Sequence, residues 1–293
     1  MSQGNRMTIM GLNINATRLL LKLHGEGFNY GKVITLGRQR LNLTKRTLRK
    51  NLKQFGHDTD ARELKKRNDG YCEPFLELLG AEKVDSMDVS DYEKATLLHD
   101  LNNPIDEQYK NAYQTVIDSG TLEHVFNFPV AIKNCMELLQ PGGHFIGITP
   151  CNNFFGHGFY QFSPELYYRI FSKENGFMVK TMYFFVDDPA TSFYSVKDPS
   201  EVKERVILNN AFPSFLFIVA EKISTQPVFK TTPQQSDYEN IIWKKQKISK
   251  QIQKFIPKPL RKLPRPLQKA AEAFSILKSQ VGTGDSRFFK KVF

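Results

Sequence analysis

Short runs of β-branched and aromatic residues alternate with stretches of helical periodicity along the first 224 residues. Glycine, proline or polar clusters bound these runs, which is typical of short buried strands. Strands separated by crossover helices form a mostly parallel sheet that is covered on both faces. The pattern therefore predicts an α/β domain over residues 1–224, with strands near 32–36, 84–88, 95–101, 114–118, 145–149, 179–186 and 215–223.

One predicted helical stretch differs from the others in its charge. Residues from about 42 to 68 are rich in Lys and Arg, and Leu48, Leu52 and Phe55 have the i, i+4, i+7 spacing of one helix face. We expect a basic helical insertion here, placed as a cap after the first strand. Further along, residues 90–93 have the Ser-x-x-Glu spacing of a capping box, which predicts the start of a helix or helical turn.

The composition changes near residue 224. From residue 226 onward there are 15 Lys and Arg against 4 Asp and Glu, whereas the preceding residues hold 26 of each, so this tail carries the whole formal charge of +11. Ile241, Ile248 and Phe255 recur at helical spacing among these charges, a pattern that suits an anionic membrane interface. We predict that 225–293 is a separate basic helical tail that docks on such a surface or on a protein partner. Packing back on the domain or on a second subunit is the alternative.

Cysteine usage and hydropathy bear on the compartment and on metal chemistry. Cys72, Cys135 and Cys151 are an odd number without paired short spacing, which argues against a disulfide framework and a zinc site, so no metal is predicted. No apolar run approaches the roughly 18 residues that a membrane span needs, and no signal peptide pattern is visible. We expect a cytoplasmic protein, with peripheral membrane attachment through the tail.

Residues directly after the predicted strands are the candidates for ligand binding. In an open parallel sheet, ligands bind beyond the carboxyl ends of the strands, near the switch in strand order. Asp88 follows the second strand, where a carboxylate can accept hydrogen bonds from both hydroxyls of a ribose. The alternative is that Asp88 merely ends a strand. Gly37, Arg38, the Asp100-Leu101 step and Gly120 occupy comparable positions.

Six segments of the sequence, in their order along the chain, resemble motifs of the class I S-adenosylmethionine-dependent methyltransferases. The Leu-Glu-His at 122–124 followed by Leu-x-x-Pro-Gly-Gly at 138–143 is the more specific pair. The resemblance implies a Rossmann-like, mostly parallel seven-stranded sheet, S-adenosylmethionine as cofactor and methyl transfer as the reaction. It also implies cofactor contacts at Gly37, Arg38, Asp88, Asp100, Leu101 and Gly120. The matching segments are 84–95, 99–101, 113–125, 138–143, 163–166 and 175–177.

The first strand departs from the family's V-L-D-x-G-x-G-x-G pattern. Only Gly37 remains, Thr35 replaces the usual acid, and Gln39 and Leu41 replace the other two glycines. Because glycines there allow close backbone approach to the cofactor, a different loop path or a weakened pocket is expected. Gln114 stands where the family often has Asp. Arg38 or Arg40 could bind the methionine carboxylate of the cofactor, with a plain surface charge as the alternative.

The candidate catalytic residues are His157 and His124, which follow the fifth and fourth strands. Methyl transfer to a hydroxyl needs in-line positioning and removal of a proton, and histidine is the natural base near neutral pH. His157 lies in a segment, 152–162, where aromatics alternate with amides and glycines. Such a loop could stack on an acceptor ring and hydrogen-bond its hydroxyls, or it could simply pack on the core. We predict O-methylation of a saccharide or other small hydroxylated acceptor.

A non-catalytic binding module is the rival hypothesis. Such a protein would keep the sheet, would have lost cofactor affinity with its glycines, and would use the basic insertion and tail on an anionic partner. Nucleic acid is disfavoured as that partner, because the aromatic-plus-glycine signature of an RNA-binding sheet is missing.

Overall fold

The computed structural model describes residues 11–239 and 285–293, so most of the predicted basic tail, 240–284, lies outside the described residues. The described helices are α1 (Ile14–Gly25), α2 (Lys45–Gln54), α3 (Ala61–Lys66), α4 (Glu73–Leu78), α5 (Phe128–Leu138), α6 (Pro164–Ile170), α7 (Pro199–Val202) and α8 (Ser236–Glu239). None of them combines the length and hydrophobicity that crossing a membrane requires.

The strands form one sheet with the order β3-β2-β1-β4-β5-β8-β6-β7-β9 among the described residues. Strands β1 to β5 pair in parallel, while β8 lies antiparallel between β5 and β6. The predicted Rossmann-like, mostly parallel sheet is confirmed, with two more strands than the seven expected. The strands are β1 (Gly31–Leu36), β2 (Ala81–Asp88), β3 (Leu97–Leu98), β4 (Tyr113–Ser119), β5 (Leu139–Asn152), β6 (Phe177–Val186), β7 (Tyr194–Val196), β8 (Ser214–Lys222) and β9 (Phe289–Lys291).

Helices cover both faces of the sheet, as predicted. Neighbouring residues of a strand point to opposite faces, and here Val33 and Ile34 of β1 join different hydrophobic clusters. One cluster contains α1, α2 and α4, and the other contains α5 and α6. The central strands are buried on both sides, which explains why apolar residues occupy consecutive positions in them, as at Val33-Ile34 and Val116-Ile117.

The switch in strand order lies between β1 and β4. Strand β1 pairs with β2 on one side and with β4 on the other, so successive crossovers leave in opposite directions at this point. The carboxyl ends of the three strands are Leu36, Asp88 and Ser119. A crevice beyond these ends is the usual ligand site of such a sheet.

The predicted basic insertion forms two helices, α2 and α3. Leu48 and Leu52 are buried, and Asn51 Nδ2 donates to the Ile14 carbonyl and to Thr17 Oγ1 of α1. The α2 helix is therefore packed on α1 through an apolar face and the buried Asn51 side chain, with Lys45, Arg49 and Lys53 exposed.

Of the two alternatives predicted for residues 90–93, a helix or a helical turn, the structure has a turn. Residues 91–94 form a turn, with Lys94 at a φ of 56°. The connection from β2 to β3 spans only residues 89–96, which is too short for a crossover that contains a helix. Mutual hydrogen bonds between Ser86 and Thr96 hold this short connection against β2.

The C-terminal end of the chain belongs to the sheet, which corrects the prediction that all of 225–293 is a separate tail. Strand β9 pairs antiparallel with β7, and Phe288 and Phe289 are buried in the core. The ring of Phe293 stacks on Phe193 with centroids 4.4 Å apart. These phenylalanines cover apolar surface at the edge of the sheet, so residue 224 is not a boundary of the fold.

Candidate functional site

A cleft of about 340 Å³ opens at the switch point. It brings together Gly37, Arg38, Asp88 and Gly120, four of the six predicted cofactor-binding residues. Polar groups predominate because strand ends and loops converge here. The full lining is Gly11, Gly37, Arg38, Gln39, Arg40, Asn42, Asp88, Glu93, Ser119, Gly120 and Thr121.

Gly37 directly follows β1 in a conformation that favours glycine. Its φ is +66°, and a methyl group added there would lie 3.2 Å from Thr121 Oγ1 and 3.9 Å from Asp88 Oδ2. The Gly37 amide donates to the Met87 carbonyl at 2.7 Å, which ties the turn to β2. The position therefore needs glycine both for its backbone angle and for the space above the cleft floor.

Gln39 and Leu41, which stand at the two positions where the family pattern has glycine, are both buried. The Gln39 side chain turns back and donates through Nε2 to the Leu36 carbonyl. Leu41 pairs with Leu12 in an isolated bridge. Both side chains therefore pack into the protein beside a cleft that the loop still lines through Gly37, Arg38, Gln39 and Arg40.

The two arginines of the loop enclose an aromatic ring. The guanidinium carbons of Arg38 and Arg40 lie 4.0 and 4.2 Å from the centroid of the Tyr71 ring. Arg38 Nε also donates to Glu73 Oε1 at 2.7 Å, and the Tyr71 hydroxyl donates to Glu93 Oε1 at 3.1 Å. Both guanidiniums are therefore held by the protein in one wall of the cleft, where the Glu73 and Glu93 carboxylates offset part of their charge.

Asp88 presents its carboxylate at the cleft. Its Oδ1 accepts from the Ser90 amide at 3.2 Å, which fixes the side chain against the start of the β2–β3 connection. The side chain is half-buried and faces Gly37. A carboxylate held in this way has lone pairs left for a ligand hydroxyl.

The structure does not bring Asp100 and Leu101 into the lining of the cleft. Asp100 Oδ1 accepts from the backbone and side-chain amides of Asn102, which lowers the pKa of Asp100. Leu101 is buried in the core. Asp100 stabilises a turn and Leu101 fills apolar space. Both roles depend on tertiary contacts, which the position of a residue after a predicted strand does not reveal.

A second group of candidates lies where the chain leaves the cleft after Thr121. The 3₁₀ turn Leu122–His124 places Glu123 and His124 close to His157 of the aromatic loop. His157 Nε2 lies 3.5 Å from Glu123 Oε1, and the rings of His124 and His157 meet edge to face with centroids 4.7 Å apart. The two predicted catalytic histidines are thus neighbours.

Glu123 is the residue of this group that the sequence analysis did not single out. Its side chain is fully buried, and the carboxylate beside His157 raises the pKa of that imidazole. Asp118, also fully buried, accepts from the amides of Thr121 and Leu122; burial, then the Glu123 charge, raise its pKa well above the usual range. The only sequence feature that could have pointed to Glu123 is its place in the Leu-Glu-His segment. Its burial depends on the tertiary structure and cannot be read from that segment.

The aromatic loop is fastened to Glu123 through its backbone. The Phe159 and Tyr160 amides donate to the Glu123 carbonyl at 2.7 and 3.3 Å. Gly158 has a φ of +67°, and a methyl group there would lie 2.8 Å from that same carbonyl oxygen. Gly158 therefore permits the close approach that holds His157 beside Glu123.

The side chains of this loop divide into exposed rings and anchored amides. Phe155 and Phe159 are exposed, and Phe159 meets the exposed Phe126 edge to face at 5.7 Å. Asn152 Nδ2 and Asn153 Nδ2 donate to Asn210 Oδ1 at 2.8 and 2.9 Å. The rings are thus available to a ligand, whereas the amides anchor the loop to the region before β8.

Comparison with known proteins gives structural likeness only. No family model and no curated protein matches the chain. A Burkholderia thailandensis 1,6-didemethyltoxoflavin-N1-methyltransferase, solved with S-adenosylhomocysteine, is 13% identical with a TM-score of 0.38, covering 72% of this chain and 78% of its own. A Thermotoga maritima S-adenosylmethionine-dependent methyltransferase, possibly acting on histamine, is 13% identical with a TM-score of 0.37, covering 70% and 89%.

The similar structures also include another kind of enzyme. The branched-chain polyamine synthase of Thermus thermophilus is 13% identical with a TM-score of 0.36, covering 75% of this chain and 61% of its own. At this level of similarity, the functional assignment depends on the residues of the chain itself.

Proposed function

We propose that this protein transfers a methyl group from S-adenosylmethionine to an oxygen of a small hydroxylated acceptor, such as a saccharide. The observation that carries the proposal is the arrangement at the switch point. A polar cleft there has Asp88 and Gly37 on its wall. Two residues after Thr121 of the same cleft, the chain reaches Glu123, which is paired with His157. The first half of this arrangement suits a nucleoside, and the second half suits proton transfer.

The cofactor is assigned to the cleft. Asp88 would accept from the ribose hydroxyls, while Gly37 and Gly120 leave room for close approach of the ligand. The Arg38 wall supplies positive charge for the carboxylate of the methionine part. Asp100 and Leu101 have no contact role in this proposal, because they lie outside the lining.

The acceptor is assigned to the side of the aromatic loop. The exposed rings of Phe155 and Phe159 offer stacking surfaces, which suit the apolar faces of a sugar or a planar ring. His157 would take the hydroxyl proton as the acceptor oxygen forms its bond to the methyl carbon and the carbon–sulfur bond of the cofactor breaks. The Glu123 carboxylate, 3.5 Å from Nε2, would stabilise the imidazolium that results, and His124 is the alternative base.

Direct measurement of cofactor binding tests the proposal before any acceptor is known. Isothermal titration calorimetry of the full chain with S-adenosylhomocysteine should show one site. In Asp88→Ala, loss of a hydrogen bond to a charged group should weaken binding by about 1.5–3 kcal/mol, which is roughly 10- to 150-fold. Asp91→Ala is the matched control, since Asp91 is an exposed acid three residues away.

Two results would count against the proposal. Unchanged affinity in Asp88→Ala would remove Asp88 from the site. Absence of binding by the wild-type chain would favour the non-catalytic module, in which the sheet is kept and the cofactor is not bound.

A further inference from the structure

Three side chains with metal-ligating atoms converge at one end of the aromatic loop. One ligand atom each from Glu123, His124 and His157 lies within 4.8 Å of the other two. Backbone contacts fix the surroundings, because the loop amides donate to the Glu123 carbonyl and the His157 amide donates to the Phe154 carbonyl at 3.0 Å. The cluster is therefore set by the fold and not by chance meeting of mobile side chains.

The carboxylate in this cluster lacks the partners that a buried charge needs. Glu123 is fully buried, and neither of its oxygens accepts a hydrogen bond from the described residues. Asp118 adds a second fully buried acid nearby. The His157 imidazole lies 3.5 Å from Glu123 Oε1, and its Nε2 is itself without a hydrogen bond in the described part of the chain. Unpaired charge in such a position is costly unless a cation compensates it.

The separation of the two nearest ligand atoms is informative. Glu123 Oε1 and His157 Nε2 are 3.5 Å apart, which is long for a charge-assisted hydrogen bond. Two ligands of a tetrahedral Zn²⁺, each about 2.0–2.1 Å from the ion, are separated by about 3.3 Å. The pair is thus spaced for an ion between its members, and a ligand atom of His124 lies within 4.8 Å of both.

We propose that Glu123, His124 and His157 form a binding site for a divalent cation of the Zn²⁺ type. Two imidazoles and one carboxylate are a ligand set that leaves the fourth position open for water or for an acceptor oxygen. His157 is partly exposed, so the site can be reached from solvent. Cysteine spacing gave no sign of such a site, because none of its ligands is a thiolate.

The inference concerns cation binding and does not depend on methyl transfer. While a cation is bound, both imidazoles are ligands, so the role of His157 as a base applies to the cation-free protein. A bound cation would lower the pKa of a water molecule held at the open position.

Calorimetry with Zn²⁺, and visible absorption with Co²⁺, test the site on the full chain after treatment with a chelator. We expect one tight site per chain and a four-coordinate Co²⁺ spectrum. The variants Glu123→Gln and His124→Gln should each weaken binding at least about 10-fold. Using both keeps the test valid if one of them folds poorly, which circular dichroism would show.

The matched control is His57→Gln, because His24 and His57 form a second histidine pair with ring centroids 5.2 Å apart. Binding that survives in His57→Gln and is lost in the cluster variants supports the proposal. Binding that is lost only in His57→Gln, or no tight site in the wild-type chain, overturns it. Titration with S-adenosylhomocysteine in parallel separates this result from a failure of the proposed function.

Discussion

Gly37 and Thr121 face each other across the carboxyl ends of β1 and β4, so closely that a methyl group on Gly37 would lie 3.2 Å from Thr121 Oγ1. That hydroxyl donates to the Leu36 carbonyl at 2.9 Å and is therefore not free to move away. The contact makes the floor of the cleft sensitive to a single added carbon.

Gly37→Ala should therefore weaken S-adenosylhomocysteine binding at least about 10-fold and lower the free energy of unfolding by roughly 1–2 kcal/mol, since an L residue is strained at this φ. Calorimetry and urea unfolding measure the two effects. Gly27→Ala is the control, because Gly27 has a φ of +83° and open space around it. Gly27→Ala should lower the free energy of unfolding and leave the affinity for S-adenosylhomocysteine unchanged. Equal cofactor affinity in both variants would contradict the placement of the ligand.

The central strands could be predicted from sequence because both of their faces are buried. Val33 and Ile34 of β1, for example, pack in opposite clusters, so consecutive positions are apolar and the strand can be recognised without knowledge of its neighbours. Strand β9 could not be predicted in this way. It consists of three residues, two of them lysines, and exists because distant β7 offers an open edge.

The candidate site likewise contains residues that local sequence features predict and residues that only tertiary contacts bring there. Strand ends are local features, so Gly37, Asp88 and Gly120 could be found from the order of the strands. Burial of Glu123 results from a loop that arrives more than thirty residues later in the chain and packs over it. The turn at Asp100 likewise depends on the amides of Asn102. Such residues are fixed by tertiary contacts, which periodicity does not record.

Phe289→Ala should show that the C-terminal residues stabilise the catalytic fold. The side chain is 4% exposed and meets Phe184 edge to face, so its loss should lower the free energy of unfolding by about 3–5 kcal/mol. Urea unfolding of Phe155→Ala provides the control, because Phe155 is fully exposed. Similar stabilities of the two variants would mean that β9 contributes little.

His57 should make the stability of the protein depend on pH. Partial burial, and then the charge of His24, lower the pKa of His57 below its ordinary value. The unfolded chain therefore binds more protons in the window between that lowered pKa and about 6.5, so the free energy of unfolding rises with pH across it. Urea unfolding between about pH 5 and 7.5 should give a flatter profile for His57→Gln than for wild type. Identical profiles for His57→Gln and wild type would contradict the prediction.

Substitution of His157 tests the base once an acceptor has been identified. In chelator-treated protein, His157→Gln should lower turnover about 10²–10⁴-fold, because the general base that takes the proton of the acceptor hydroxyl is then missing. The affinity for S-adenosylhomocysteine should stay unchanged, since His157 lies outside the lining of the cleft. The same measurement on His124→Gln separates the two histidines. Near-normal turnover in His157→Gln would move the assignment to His124.

The basic segment between the described parts of the chain is predicted to dock on anionic membranes. Truncation is a poor test, because it would also remove β9 from the sheet. Reversal of three charges, Lys244→Glu, Lys247→Glu and Lys254→Glu together, leaves β9 in place. Since each basic residue near an anionic surface contributes about 1 kcal/mol, binding to phosphatidylserine vesicles should fall by more than about 100-fold.

The same reversal in α2, at Lys45, Arg49 and Lys53, is the matched control, because these residues are exposed and the net charge changes equally. Co-sedimentation with vesicles at low and high salt should show loss of binding in the first variant, little change in the second, and weaker binding of wild type at high salt. Equal losses in both variants would mean that net charge, and not the tail, attracts the membrane. If the wild-type chain ignores anionic vesicles at low salt, the segment has a packing role instead.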